Sequence, residues 1–165
     1  MEVFVSAISS PSRFWVQIVG SSATELDILV QEMSTYYDNP ENQALHRIKE
    51  PYLGKIVAVK FNYDNKYYRA EIVAIQPNEF KSQEIVLDLY FVDYGDTQFV
   101  KPDDVFELRT DFLSLRFQAI ECFLAHVQPT TNKLDQWDEQ AVDKFEALTH
   151  GELLKLFKNI SKVNF

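Results

Sequence analysis

The sequence has one cysteine, no long apolar run and few basic residues. With Cys122 as the only cysteine, an intrachain disulfide framework and a cysteine-based metal site are both excluded. No segment approaches the roughly 20 apolar residues of a membrane-spanning helix, and no basic then apolar signal segment opens the chain. We therefore expect a soluble domain of a reducing, intracellular compartment, without membrane contact in this segment. Its strand-like start and apolar-rich end predict one domain of a longer protein.

The charged residues of the chain are mostly acidic. Acidic residues outnumber basic residues by 25 to 16, which gives a formal net charge of −9. Such a surface repels the phosphates of nucleic acid and attracts cationic peptides. Most of the excess lies before residue 112, so a cationic ligand is expected there and direct contact with nucleic acid is not.

The first 50 residues predict a hairpin followed by a helix. Two β-rich stretches, 3–8 and 14–19, flank a Ser-Ser-Pro-Ser turn. Apolar residues at helical spacing then predict an amphipathic helix over residues 23–37, with Ser22 and Glu25 as a capping box.

Residues 51–111 predict a small barrel. Five short strands separated by tight turns are typical of a strongly bent sheet that closes on itself. The strands are expected at residues 56–61, 67–75, 85–94, 97–100 and 104–108, with turns at Asp64-Asn65, Pro77-Asn78, Gly95-Asp96 and Pro102-Asp103.

The last third of the chain predicts a strand over residues 119–127, an amphipathic helix ending at Gly151 and a final strand over 153–157. The apolar face of that helix would consist of Trp137, Ala141, Phe145 and Leu148. Because isolated hairpins are marginal in water, we expect the two flanks to pack into one module with the barrel inserted between them. The predicted boundaries are therefore 1–50, 51–111 and 112–165.

Residues suited to catalysis or metal binding are scattered. The histidines, His46, His126 and His150, form no ligand-spaced pair, and no G-x-S-x-G motif is present. Cys122 lies in an alternating run, where a buried small apolar residue is the simpler interpretation. The acidic pairs Asp103-Asp104 and Asp138-Glu139 fit a turn or a helix N-terminus without a metal. We expect no catalytic residues, no metal and no cofactor.

Aromatic residues are the distinctive feature of the predicted barrel. They gather beside its turns, at Phe61, Tyr63, Tyr67, Tyr68, Tyr90, Phe91, Tyr94 and Phe99. Tyr67, Tyr90 and Phe99 are expected to fill the barrel core. Strict alternation would separate Phe91 from Tyr94, unless the turn at Gly95 twists the strand. Rings gathered at one rim would favour a weakly hydrated cation through their quadrupoles.

The stretches around these rings resemble the signatures of Tudor domains. Residues 59–61 (Val-Lys-Phe), 66–70 (KYYRA) and 89–96 (LYFVDYGD) are similar to the family motifs KF…WYRA and FYIDYGN. Residues 115–122 (LRFQAIEC) are similar to the LPxQAxxC segment of extended Tudor domains. The resemblance covers nearly the whole chain. It implies a mainly β fold with two or three helices, in which a five-stranded Tudor barrel is inserted into an OB-type, staphylococcal-nuclease-like module.

The resemblance also implies a ligand site. Matched position by position, the family's aromatic cage falls on Phe61, Tyr68, Phe91 and Tyr94, with Asp96 as the polar partner. The loop before Tyr68 is one residue longer than the common form, which leaves Tyr63 as the alternative to Tyr68 for one side of the cage. Arg69 and Asp93 are expected to form an ion pair that holds the cage strands.

The function implied is a non-catalytic reader of arginine or methylarginine in Arg-Gly or Arg-Ala tails of Piwi-clade Argonaute proteins, acting as a scaffold in piRNA biogenesis. The expected location is cytoplasmic, at germ granules or the mitochondrial surface through other parts of a parent protein.

Two alternative functions stay open. One is an OB-type binder of single-stranded RNA, which the acidic charge disfavours, and the other is a nuclease-like enzyme. A nuclease would need clustered acids and arginines, whereas the flanks offer only the dispersed Arg13, Arg47 and Arg116.

Overall fold

A computed structural model describes residues 2–78, 81–130, 136–149 and 153–155. Within them the chain forms two antiparallel sheets and three α-helices, which confirms the mainly β fold class. The strands are β1 Glu2–Ser10, β2 Arg13–Ile18, β3 Ile56–Lys60, β4 Tyr67–Asn78, β5 Lys81–Phe91, β6 Thr97–Val100, β7 Val105–Glu107, β8 Ile120–Cys122 and β9 Leu153–Lys155. The helices are α1 Ser21–Tyr37, α2 Pro40–Leu45 and α3 Glu139–Thr149.

One sheet joins the two ends of the chain. Its four strands lie in the order β8-β2-β1-β9, so the N-terminal hairpin pairs on both edges with strands from the C-terminal third. Alternate residues of the hairpin, such as Val3, Val5 and Val16, point to one face and pack against Phe145 of α3. The boundaries at residues 50 and 111, and the OB-type character of this sheet, stay predictions.

The other sheet holds the five predicted central strands, in the order β6-β5-β4-β3-β7. Its apolar cluster includes Val57, Ile72, Leu87 and Leu89, none of which is exposed to solvent.

Two details of this sheet differ from the sequence-based prediction. Pro77 and Asn78 belong to β4 and do not form a turn, since the β4–β5 hairpin is longer than expected. Phe99 is 62% exposed, because it lies opposite Asp88 on the outer face of the sheet.

Helix α1 covers one side of the five-stranded sheet. Leu26, Met33 and Tyr37 recur along its buried face and pack with Tyr67 and Phe106. The predicted capping box is wrong: the helix begins at Ser21, after Gly20, and no side chain caps it. Ser22 therefore lies inside the first turn, beyond the position from which a serine can cap the helix.

Strand β8 is shorter than the sequence pattern predicts, and α3 buries less of its predicted apolar face. Only three residues of the expected strand over 119–127 pair with β2. Trp137 precedes α3, and its indole N–H donates to Ser12 Oγ at 2.8 Å. Leu148 is 64% exposed, so only Phe145 of the predicted apolar face is deeply buried. His150 and Gly151 lie outside the described residues.

A buried arginine connects the five-stranded sheet to the segment that follows it. Arg69 is 1% exposed, and its guanidinium binds both oxygens of Asp93 at 2.9 and 2.7 Å, which confirms the predicted ion pair. Its remaining N–H groups donate to the carbonyls of Phe112, Leu115 and Arg116 at 2.9, 2.6 and 3.3 Å. All five donors of the guanidinium are thus used.

In the described part of the chain, no helix is long and apolar enough to cross a membrane.

Candidate functional site

Four rings enclose a cavity of about 180 Å³ at one end of the five-stranded sheet. These rings, hereafter the aromatic cage, belong to Phe61, Tyr68, Phe91 and Tyr94. Phe61 and Phe91 meet edge to face with centroids 5.0 Å apart, and Tyr68 meets Tyr94 in the same way at 5.2 Å. Tyr68 also lies 6.0 Å from Phe61 and 6.1 Å from Phe91. Edge-to-face contacts of this kind fix the rings at right angles around the opening.

The end of β5 brings Phe91 and Tyr94 to the same cavity. The strand stops at Phe91, whose carbonyl accepts hydrogen bonds from Tyr94 N at 3.1 Å and Gly95 N at 2.8 Å. Gly95 has a φ of 95°, a conformation that side chains with a Cβ rarely adopt. The tight turn rotates the chain, so the two rings that strict alternation would separate both contact Tyr68 and line one cavity.

The opposite side of the cage is a loop between β3 and β4. Phe61 N and Lys66 O close this loop at 2.9 Å, and Asp64 Oδ1 accepts from Lys66 N at 3.1 Å. The other carboxylate oxygen of Asp64 accepts from the Tyr68 hydroxyl at 2.6 Å. Tyr68 is therefore the ring that completes this side, while Tyr63 is 91% exposed and lies at the mouth of the cavity.

Two carboxylates line the cavity with the rings. Asp96 is half-buried, and no hydrogen bond or ion pair of its side chain is found among the described residues. Burial raises the pKa of Asp96, because the charged form loses part of its hydration there. Asp64 is a site residue that the sequence motifs did not predict. Its spacing of four residues before Tyr68, across a tight turn, was the available signal.

Burial determines the charge state and the solvent exposure of the cage rings. It raises the pKa of both phenols, Tyr68 and Tyr94, so both stay neutral at physiological pH. Phe91 is only 2% exposed and belongs to the apolar cluster of the five-stranded sheet. The cavity therefore offers neutral aromatic faces together with the carboxylate of Asp96, which has no partner in the described ranges, and this combination suits a flat organic cation.

The described residues that were considered for metal binding or catalysis do not line this cavity. The described ranges contain no cluster of three or more His, Cys, Asp or Glu side chains that could hold a metal ion. His46 Nε2 lies 3.0 Å from the Tyr36 hydroxyl, and His126 lies in a separate turn with a φ of 62°. Cys122 is half-buried beside the apolar cluster of the four-stranded sheet, and burial raises the pKa of its thiol.

The family model described as Tudor domain matches residues 1–126. A Tudor and KH domain-containing protein homolog of Drosophila melanogaster is 54% identical over 150 residues, which cover 90% of this chain and 26% of the relative. The chain thus spans about a quarter of the length of this curated relative.

Solved structures agree in fold. The extended Tudor domain of Drosophila melanogaster Papi, a point variant in complex with an unmethylated Piwi N-terminal peptide, superposes with a TM-score of 0.86 at 54% identity. That match covers 90% of this chain and 69% of the other. The extended Tudor domain of BmPAPI in complex with sDMA has a TM-score of 0.86 at 49% identity, covering 90% and 68%.

Proposed function

Because the chain belongs to the Tudor domain family, we propose that it is a non-catalytic reader that binds an arginine side chain of a partner peptide. One observation carries this proposal: the aromatic cage and the unpaired carboxylate of Asp96 line the same cavity. The cavity, about 180 Å³, matches a single flat side chain better than a folded partner.

The proposed mechanism is physical. The guanidinium enters between the rings, and each cation–π contact contributes about 0.5–2 kcal/mol, depending on how far water is excluded. Asp96 then accepts hydrogen bonds from the guanidinium, so the half-buried carboxylate gains a cationic partner, and none is found for it among the described residues of the free domain. Since a single side chain anchors a flexible tail that must be ordered, the affinity is expected in the micromolar range.

The proposed partner is the N-terminal tail of a Piwi-clade Argonaute protein, with Arg-Gly or Arg-Ala motifs. Similar extended Tudor domains have been solved with a Piwi N-terminal peptide and with sDMA, which supports the choice of ligand. The net charge of −9 favours association with such a basic tail. In this proposal the domain acts as a scaffold in piRNA biogenesis. The location at germ granules or the mitochondrial surface stays a prediction.

Calorimetric titration with four versions of one Arg-Gly peptide tests the proposal. The peptides carry unmodified, monomethylated, symmetrically dimethylated or asymmetrically dimethylated arginine, and a lysine peptide serves as the control. At least one arginine peptide should bind in the micromolar range, and the lysine peptide should bind more weakly, because an ammonium stacks less well on rings. An RNA oligomer is titrated in parallel. Salt-resistant binding of RNA without binding of any arginine peptide would refute the reader function.

A further inference from the structure

The turn that carries Tyr94 is held from outside its own sheet. Ser6 Oγ, on β1, donates to the Tyr94 carbonyl at 2.6 Å. Gln17 Nε2, on β2, donates to the neighbouring Asp93 carbonyl at 2.5 Å. Both bonds run from a side chain of the four-stranded sheet to the main chain of the turn that follows β5. They join residues 88 and 76 positions apart in the chain.

The same hairpin also closes over the top of the turn. A Cβ atom on Gly95 would lie 2.3 Å from Cγ of Trp15, so the indole packs directly against the glycine. Trp15 is 5% exposed, which leaves the ring little room to move away. Three consecutive turn residues, Asp93, Tyr94 and Gly95, are therefore each contacted by a side chain of β1 or β2.

The Tyr94 ring itself is held by packing, against the apolar cluster under α1 and that of the five-stranded sheet. It meets Tyr68 edge to face at 5.2 Å, and none of the hydrogen bonds found in the described ranges involves its hydroxyl. Since the ring follows its Cα, a shift of the turn would move the ring away from Tyr68 and widen the cavity. The position of the main chain thus determines the width of the aromatic cage.

We propose that Ser6 and Gln17 are positioning residues of the aromatic cage, because their hydrogen bonds to the Asp93 and Tyr94 carbonyls fix the place of the Tyr94 ring. The four-stranded sheet then contributes to ligand affinity without touching the arginine itself. This inference deepens the proposed arginine-binding function and rests on it, while its geometric part concerns the free domain.

Matched substitutions separate positioning from ordinary stability. Ser6→Ala removes one donor, and Gln17→Glu keeps the size of the side chain but replaces its N–H donor by a carboxylate. Ser6→Thr keeps the hydroxyl and serves as the rescue variant. Asn42→Ala is the control, since Asn42 Nδ2 donates to the Tyr36 carbonyl at 3.0 Å, a bond of the same type that involves no residue lining the cavity.

Two readouts are compared, both on the whole chain. The first is the contact between the Tyr68 and Tyr94 rings, measured in the free domain by nuclear Overhauser effects. The second is the dissociation constant for the arginine peptide, measured below the thermal midpoint of every variant. Loss of one positioning bond should weaken the ring contact and lower peptide affinity about fivefold or more. Ser6→Thr should keep the ring contact and the peptide affinity of the wild type. Asn42→Ala should change only the thermal midpoint.

Other outcomes overturn the inference. If Ser6→Ala and Gln17→Glu keep the ring contact of the wild type, these residues do not position Tyr94. If Asn42→Ala weakens peptide binding as much as they do, the effect is one of general stability. A wild type that binds no arginine peptide refutes the proposed function, whereas the ring contact still decides whether Ser6 and Gln17 position Tyr94.

Discussion

Phe91 and Tyr94 line the same cavity but differ in what else they support. Phe91 is 2% exposed and belongs to the apolar cluster of the five-stranded sheet, whereas Tyr94 lies between two clusters and is partly exposed. The sequence predicts both rings at the rim of the barrel. The structure shows that Phe91 belongs equally to the core.

Substitutions of Phe91 and Tyr94 should therefore lower the stability of the fold by different amounts. Phe91→Ala is expected to lower the free energy of unfolding by about 3 kcal/mol, because it leaves a cavity in a packed core. Tyr94→Ala should cost clearly less stability, and both variants should lose most of their peptide binding. Urea denaturation together with titration of the folded fraction checks this. A Phe91→Ala variant as stable as the wild type would contradict the assigned burial.

Asp96 is expected to determine the response to methylation. A carboxylate accepts several N–H donors of an unmodified guanidinium, and methylation removes donors while adding apolar contact with the rings. The domain should thus bind unmethylated or monomethylated arginine at least as well as the symmetric dimethyl form. Asp96→Asn should shift the preference toward the dimethylated peptide, as measured by calorimetry. An unchanged preference in that variant would leave Asp96 with a role in the turn only.

The raised pKa of Asp96 predicts a dependence on pH. Binding of a guanidinium needs the ionised carboxylate, so affinity should fall as the pH is lowered through that raised pKa. In the free domain the sign is opposite. A raised pKa in the folded state stabilises the fold at low pH, and this contribution is lost as the pH rises. Titrations between about pH 7.5 and about pH 4.5 should therefore show acid-weakened binding in the wild type and a smaller effect in Asp96→Asn.

At the scale of elements, the turn after β5 is the most constrained piece of the site. Gly95→Ala would place a methyl group 2.3 Å from the Trp15 ring, at a φ of 95° that alanine adopts only with strain. We expect a loss of stability of about 2 kcal/mol or more, together with weaker peptide binding. Thermal melts and titration test this, with Gly20→Ala as the control. No atom lies within 4 Å of a Cβ at Gly20, and its backbone is extended.

The sequence predicts these elements unevenly, for physical reasons. Strands with strong alternation, such as β1 and β2, and turns marked by Gly95 or Asp64-Asn65 were located to within one or two residues. The bounds of other strands depend on which residues meet a partner in a neighbouring strand. The run over residues 119–127 has strand-like residues throughout, but only three of them meet a neighbouring strand.

The site shows the same division between local and distant determinants. The four ring positions follow from motifs close to their turns, and the structure brings all four to one cavity. The bonds from Ser6 and Gln17 could not be predicted, because they join residues far apart in the chain through main-chain carbonyls that carry no sequence signal. Phe99, expected in the core, faces outward because register determines which face a residue occupies.

At the scale of the whole molecule, the five-stranded sheet depends on its flanks. Arg69 is fully buried and donates three hydrogen bonds to carbonyls of residues 112–116. A fragment of residues 51–111 would lose those acceptors and the α1 face that packs on Tyr67. Asp93 would still bind the guanidinium, but leaving its three other buried donors without acceptors costs several kcal/mol, so this fragment should not fold on its own. Its one-dimensional NMR spectrum is expected to lack dispersion, whereas a cooperative thermal melt would contradict the prediction.

The pairing of β1 with β9 has a mechanical consequence. Glu2 lies opposite Lys155, so the outermost described residues meet at the same end of one antiparallel ladder. Tension that pulls these two residues apart would open the ladder bond by bond, like a zipper, instead of shearing all its bonds at once. The short β9 would detach first, while the five-stranded sheet that carries the aromatic cage lies outside the line of force. Load applied at these two residues would thus reach the β1–β9 ladder before the sheet that carries the aromatic cage.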